Sequence, residues 1–144
     1  MNTIDKWLSI ALWLAGIGHF CILAASFQVP RRLGWKEDLA KLTPFNRKLM
    51  WVYGMFTVLT IVAFGTLTLF LHDEFLRGDR AALALAAFVA VYWTLRILVD
   101  VFYYDHKDWP AGIQFVIGHF LLTTLFAALA ATYWVVLIRH LWKK

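Results

Sequence analysis

Hydrophobic residues fall into four long runs along the chain, separated by short connections that carry most of the charge. The runs cover roughly residues 7–29, 45–71, 81–104 and 110–138. Each is long enough to cross a bilayer as a helix, which requires about 20 apolar residues. Because the connections are short, helices that follow one another must be antiparallel neighbours. The pattern predicts an all-α integral membrane four-helix bundle of up-down-up-down order, with residues 1–144 in a single transmembrane domain.

The connection between the first two runs has a hydrophobic pattern of its own. Pro30 disfavours helix at the residue before it, so the first membrane helix should end near this point. In "GWKEDLAKL" at 34–42, apolar residues recur at positions i, i+4 and i+7 with charges between them. This spacing is typical of a helix that lies in the membrane interface. We therefore expect a short interfacial helix between helices 1 and 2, after which Thr43 and Pro44 open the second helix.

The amino-acid composition agrees with a membrane protein and leaves little of the chain for a soluble domain. Of the 144 residues, 62% are hydrophobic and 16% are charged, whereas soluble domains contain about a quarter charged residues. The first run is longer than the hydrophobic region of an ordinary signal peptide and contains tryptophan and histidine, so we expect it to be retained. The single cysteine, Cys21, excludes an intrachain disulfide.

The formal charge of +5 does not indicate nucleic-acid binding. The basic residues cluster at the ends of the hydrophobic runs, where they anchor helices to lipid headgroups. The first connection holds the densest basic cluster, so we expect connections 1 and 3 to face the cytoplasm. The expected location is the bacterial inner (cytoplasmic) membrane, with lipids as the immediate partners.

A Gly-His pair occurs in both the first and the last run, within the repeated string "IGHF". His19 lies 11 residues before the proline that ends the first run, which is about 16 Å along a helix. His119 lies nine residues after the proline that opens the fourth run, which is about 14 Å. If the two prolines lie on the same side of the membrane, the histidines lie at nearly the same depth.

The same counting places a polar residue from each helix at this depth, namely His19, Tyr53, Arg96 and His119. Asp100 follows Arg96 by one helical turn and can pair with it. A charge in the middle of a membrane costs roughly 2.5–3.5 kcal/mol, and such residues usually face the bundle interior. The sequence therefore predicts one intramembrane polar layer, either a functional site or hydrogen-bonding glue between helices. The other histidines, His72, His106 and His140, lie at run edges and are expected to be solvated or interfacial.

One function of such a layer is to bind haem b, or another metal cofactor, for redox chemistry. Neutral imidazole is a common axial ligand, and cofactor sites in bundles are built from side chains on facing helices. In this hypothesis His19 and His119 ligate the metal and Arg96 pairs with a propionate. The glycine beside each histidine leaves room for the macrocycle.

The segment "ALWLAGIGHF…VPRRL" within residues 11–33 resembles in outline the opening of two families of compact membrane proteins. These are the bacterial membrane-bound protoporphyrinogen oxidases that carry haem, and the copper-resistance membrane proteins. Both open with a helix containing tryptophan, glycine and histidine, followed by a basic interfacial segment. The resemblance, which covers about a fifth of the chain, favours the haem or metal hypothesis. It does not extend to those families' other functional residues.

Two further functions fit the same residues. The first is a metal-free site for a quinone or another lipid-soluble ligand. Arg96 then holds a phosphate, carboxylate or quinone oxygen, and Asp100 orients the arginine. His19 or His119 supplies a hydrogen bond or a proton, and Tyr53 is a second donor. In a non-catalytic accessory subunit, the layer is assembly glue, and the small residues at 81–90 pack against a larger complex or a second copy. The sequence does not select among the three, and it assigns no catalytic residue.

Overall fold

A computed structural model describes residues 3–105, 107 and 111–142. Regular structure in these residues is entirely helical. The helices are α1 (Thr3–Ser26), α2 (Val29–Arg32), α3 (Trp35–Ala40), α4 (Pro44–Phe70), α5 (His72–Arg77), α6 (Arg80–Phe102) and α7 (Ile113–Leu141). The four long ones, with α2 continuing α1, are long and apolar enough to cross a membrane. The chain is thus an all-α four-helix bundle and a multi-pass integral membrane protein, as predicted.

The structure differs from the predicted boundaries mainly at the connections. The short helix expected in the first connection is present as α3, and Gly34 turns the chain before it with a φ of 63°, a left-handed conformation that glycine adopts without strain. Pro44 is the first residue of α4, as predicted, although the Thr43 side chain makes no capping hydrogen bond. The chain after α4 forms the unpredicted helix α5 before it turns at Gly78, where φ is 81°. A tight hairpin, which the sequence "DHKDWP" at 105–110 also predicts, lies largely outside the described residues.

The core occupies one half of the bundle. It is formed by much of α1, the C-terminal part of α4, the N-terminal part of α6 and the C-terminal part of α7. The largest fully buried side chains are Trp93, Tyr133, Phe75, Leu12, Leu129, His19, Val89, Val136 and Thr68. In the other half, many large apolar side chains of α4, α6 and α7 are exposed on the bundle surface. In a bilayer, these side chains face lipid.

Side-chain contacts bring three chain segments together at one end of the bundle. Arg139 near the end of α7 pairs with Asp5 near the start of α1. His72, which follows α4, contacts Ser9 of α1. These contacts agree with the up-down-up-down order, which stays a prediction.

Helices α1 and α4 approach closely because glycine lies at their contact. A Cβ atom placed on Gly65 would lie 2.9 Å from Cε2 of Phe20 and 3.1 Å from Cβ of His19. Small residues at such positions let membrane helices pack backbone against backbone. Gly65 therefore acts as a packing residue where α1 meets α4.

The substitution Gly65→Leu should lower the free energy of unfolding by about 1–3 kcal/mol or more, because a larger side chain must push α1 away from α4. Gly118→Leu is the matched control, since a Cβ there would meet no described atom within 4 Å. Thermal unfolding in detergent, followed by circular dichroism, measures both. Equal midpoints for the two variants would contradict the close-contact role of Gly65.

Candidate functional site

His19 is a fully buried side chain with a partner at each ring nitrogen. Its exposed fraction is 0%. Nδ1 lies 2.7 Å from the carbonyl oxygen of Ala15, one turn earlier on α1, and Nε2 lies 3.0 Å from the indole Nε1 of Trp93 on α6. An indole nitrogen only donates and a carbonyl only accepts. His19 is therefore neutral, with its proton on Nδ1 and an acceptor at Nε2.

Aromatic rings surround His19 and complete a tightly packed layer. Phe64 of α4 and Tyr133 of α7 lie edge-on to the imidazole, with centroid distances of 5.9 and 6.1 Å. The Tyr133 hydroxyl is hydrogen-bonded to Thr68. We call His19, Thr68, Trp93 and Tyr133 the His19 layer. It links all four spanning helices through satisfied polar groups.

A second polar cluster lies further along α6 and is centred on Asp100, whose exposed fraction is 4%. One carboxylate oxygen lies 3.3 Å from Nε2 of His119 and 3.3 Å from the hydroxyl of Thr123, both on α7. The other lies 3.9 Å from Nη1 of Arg96. We call these four residues the Asp100 cluster. The i, i+4 pairing of Arg96 with Asp100 predicted from the sequence is present as a long ion pair.

Arg96 is the least enclosed member of the Asp100 cluster. Its guanidinium carbon lies 5.3 Å from the ring centre of Phe126 and 5.7 Å from that of Tyr104, within the range of cation–π contacts. Its side chain keeps 38% of its surface exposed. Among the described residues, the buried Nη1 has no hydrogen-bond partner. Arg96 thus reaches the bundle surface with part of its side chain and keeps one buried donor without a partner among the described residues.

The single polar layer expected from the sequence is not formed. His19 meets Trp93, whereas His119 meets Asp100. These two positions on α6 are seven residues apart, which is about 10 Å along the helix. Tyr53 belongs to neither group, because its side chain is 58% exposed on the outside of α4. Counting residues from a proline gives depth along one helix, but it gives neither tilt nor the direction in which a side chain points.

A third polar group, at the opposite end of the bundle, was not expected from the sequence. His72 is buried, with 9% of its surface exposed, whereas the sequence predicted a solvated or interfacial side chain. Its Nε2 lies 3.1 Å from the Ser9 hydroxyl and its Nδ1 lies 3.0 Å from a carboxylate oxygen of Asp73. The contact of His72 with Asp73 could have been predicted, because the two residues are adjacent in the sequence. The contact with Ser9 could not, because Ser9 lies 63 residues away.

Charges in the connections form exposed local pairs. The Lys41 ammonium donates to Asp38 at 2.9 Å, and this hydrogen bond raises the pKa of the lysine. Arg77 donates to Asp79 and Glu74, and the bond to Asp79 raises its pKa. Exposed pairs of this kind stabilise a fold little, so we assign them no part in a site.

Comparisons with protein-family models, with curated proteins and with solved structures find no match to this chain. The described residues also contain no group of three or more histidine, cysteine, aspartate or glutamate side chains placed to hold a metal ion. The geometry of the His19 layer, the Asp100 cluster and the His72 group is therefore the basis for any assignment of function.

Proposed function

We propose that the Asp100 cluster binds the polar, electron-rich end of a quinone or another lipid-soluble ligand. The observation that carries the proposal is the state of Arg96, which is half-exposed and has a buried Nη1 with no hydrogen-bond partner among the described residues. Arginine binds carboxylate and phosphate oxygens through a planar fork of donors. A ligand oxygen that reaches Nη1 would satisfy a donor that the described residues leave unused.

The rest of the cluster supports this role by compensating the charge of Arg96. Asp100 lies 3.9 Å from Nη1, too far for a short hydrogen bond, so it balances the charge without using this donor. Thr123 and His119 contact the same carboxylate and limit its movement. His119 also brings an ionisable group to the cluster, as required if a bound quinone exchanges protons.

The surroundings of the cluster suit an apolar tail. Leu98 and Val99 on α6, and Val116 and Phe120 on α7, are between 41 and 69% exposed beside the cluster in sequence. In a bilayer these side chains face hydrocarbon. A ligand can therefore place its polar end at Arg96 and leave its chain among lipid tails, without a closed pocket.

The geometry supports haem ligation by His19 and His119 less well. The bond from Nδ1 of His19 to a backbone carbonyl is one that metal-binding histidines also make. Its Nε2, which would bind the iron, instead accepts from Trp93, and the rings of Phe64 and Tyr133 fill the adjacent space. A shared haem would require this layer to open.

The substitution Arg96→Gln should remove the bound ligand, because glutamine keeps much of the side-chain length but loses the charge and the donor fork. We expect the ligand recovered from detergent-purified protein to fall at least about tenfold, equivalent to about 1.4 kcal/mol of binding free energy. Organic extraction followed by mass spectrometry, with quinones and phospholipids measured separately, gives the amounts.

Arg31→Gln is the matched control, because Arg31 is an exposed arginine in α2 outside the cluster. It should leave the ligand content unchanged. Equal ligand content in the Arg96 and Arg31 variants would overturn the proposal. A Soret band lost on His119→Ala would instead favour the haem hypothesis.

A further inference from the structure

We propose that Ser9, His72 and Asp73 form a nucleophilic site that transfers or hydrolyses the acyl group of a carboxylic ester at the membrane surface. This site is distinct from the Asp100 cluster and does not depend on the function proposed for it. The Ser9 hydroxyl lies 3.1 Å from Nε2 of His72, whose Nδ1 lies 3.0 Å from the Asp73 carboxylate. A nucleophile bonded to a base, itself oriented by a third group, is the diagnostic arrangement for covalent acyl transfer.

The contacts of His72 select the protonation state that the reaction needs. A carboxylate only accepts hydrogen bonds, so Asp73 holds the imidazole proton on Nδ1. Nε2 is then the lone-pair nitrogen, directed at the Ser9 hydroxyl. The backbone carbonyl oxygen of Ser9 lies 3.3 Å from the same Nε2. It can accept a hydrogen bond from Nε2 once that nitrogen has taken the serine proton.

Neighbouring side chains fix the ring of His72 and leave one side of the site open. Trp13, one turn after Ser9 on α1, packs against the imidazole with centroids 5.1 Å apart. Trp13 itself is 48% exposed and Ile10 is 50% exposed. Ser9 is half-buried between them and the imidazole. An ester approaching along this exposed apolar surface can reach the hydroxyl.

A cation lies near the place where negative charge develops. Asp5 precedes Ser9 by four residues, so the two side chains are neighbours on one face of α1. Arg139 pairs with Asp5, and its buried Nη1 has no hydrogen-bond partner within the described part of the chain. The residue that the guanidinium pairs with lies one helical turn from Ser9, so in this proposal Arg139 brings positive charge to the side of α1 where the oxygen of a tetrahedral intermediate forms.

The position of Ser9 indicates the class of substrate. It lies six residues after the start of α1 at Thr3, or about 9 Å into the helix. Lys6 and the 69%-exposed Trp7 beside it are residue types that anchor helices at the membrane interface. The acyl esters of membrane lipids lie at this level, between headgroups and hydrocarbon. We therefore assign an interfacial lipid ester as the substrate.

The reaction balances with water as the only co-reactant. The Ser9 oxygen bonds to the ester carbonyl carbon while its proton moves to Nε2 of His72. The carbon–oxygen bond of the ester breaks, and the alcohol leaves with that proton. Water then attacks the acyl-serine, His72 takes and returns a proton, and the carboxylic acid leaves with Ser9 restored. Asp73 keeps its hydrogen bond to Nδ1 of His72 and acts as a positioning residue.

The test uses the full chain in detergent micelles and an alkyl fluorophosphonate probe, with the modified residue located by mass spectrometry. The probe forms an oxygen–phosphorus bond to an activated serine and releases fluoride.

The chain contains only two serines, Ser9 and Ser26. We expect modification at Ser9, its complete loss in Ser9→Ala, and unchanged modification in Ser26→Ala. His72→Gln should slow it by about 10²–10⁴-fold, the usual contribution of a general base. Asp73→Asn should slow it by a smaller factor.

A second measurement guards against a probe that does not fit the site. Ser9→Cys in a Cys21→Ala background carries a single thiol, which His72 should activate as it does the hydroxyl. Its alkylation by iodoacetamide should be at least about tenfold faster than in the same protein with His72→Gln. Arg31→Gln, an exposed position in α2, should change neither reaction. The proposal is overturned if the folded protein reacts at Ser9 no faster than at Ser26 and the thiol reacts equally with or without His72.

Discussion

The substitution His19→Ala should be among the most destabilising single changes in the protein, whereas His119→Ala should be mild. Removing the imidazole leaves a cavity between Phe64, Trp93 and Tyr133 and leaves the Trp93 indole without its acceptor. Cavities of this size cost about 3–5 kcal/mol in well-packed cores, and an unsatisfied buried donor adds about 1–3 kcal/mol. Unfolding in detergent, followed by circular dichroism, measures the difference between the two variants.

His119 is less buried than His19, so its removal should destabilise the protein less. His119 keeps 24% of its side-chain surface exposed and contacts a carboxylate that Thr123 also contacts. Its loss should therefore cost no more than about 1–2 kcal/mol, the range for hydrogen bonds between membrane helices. The variant Trp93→Phe, which removes only the donor, should be less destabilising than His19→Ala. Equal and large losses in both histidine variants would contradict the structural assignment of His19 and favour a shared ligand.

The substitution Asp100→Asn should destabilise the protein by about 2–4 kcal/mol, because it leaves the Arg96 charge uncompensated within the membrane. The change is nearly isosteric, so the loss reflects charge rather than volume. Combining it with Arg96→Gln should recover much of the loss, since neither charge then remains. Unfolding midpoints of the two single variants and the double variant, compared in one detergent, measure the coupling.

Asp38→Asn is the control for Asp100→Asn. Asp38 also pairs with a cation in its own chain segment, but its side chain is 67% exposed. Its substitution should change the stability by less than about 0.5 kcal/mol, as is usual for exposed pairs. A double variant as unstable as Asp100→Asn alone would show that the carboxylate stabilises the bundle through Thr123 and His119 and not through Arg96.

Ligand binding at the Asp100 cluster can be measured separately from the stability of the bundle. A variant that folds normally yet loses its ligand isolates binding from packing. Arg96→Gln is suited to this use because the side chain lies at the surface of the bundle. His19→Ala is not, because its effect on the core would remove any site indirectly.

The sequence by itself determined the membrane spans, the helix between the first two spans, and the pairing of Arg96 with Asp100. All three are local properties. A run of apolar residues reports its own length, and two side chains four residues apart on one helix must be neighbours whatever surrounds that helix.

Only the tertiary structure decided that the two Gly-His pairs have different surroundings and that Ser9 meets His72. A residue count gives the depth of a side chain along its helix. The tilt of each helix, and the direction in which each side chain points, follow from how all four helices pack. Gly65 lets α1 approach α4 closely beside His19, whose side chain is fully buried. The second copy of the "IGHF" string, on α7, has different surroundings. A Cβ atom on Gly118 would meet no described atom within 4 Å, and His119 contacts Asp100.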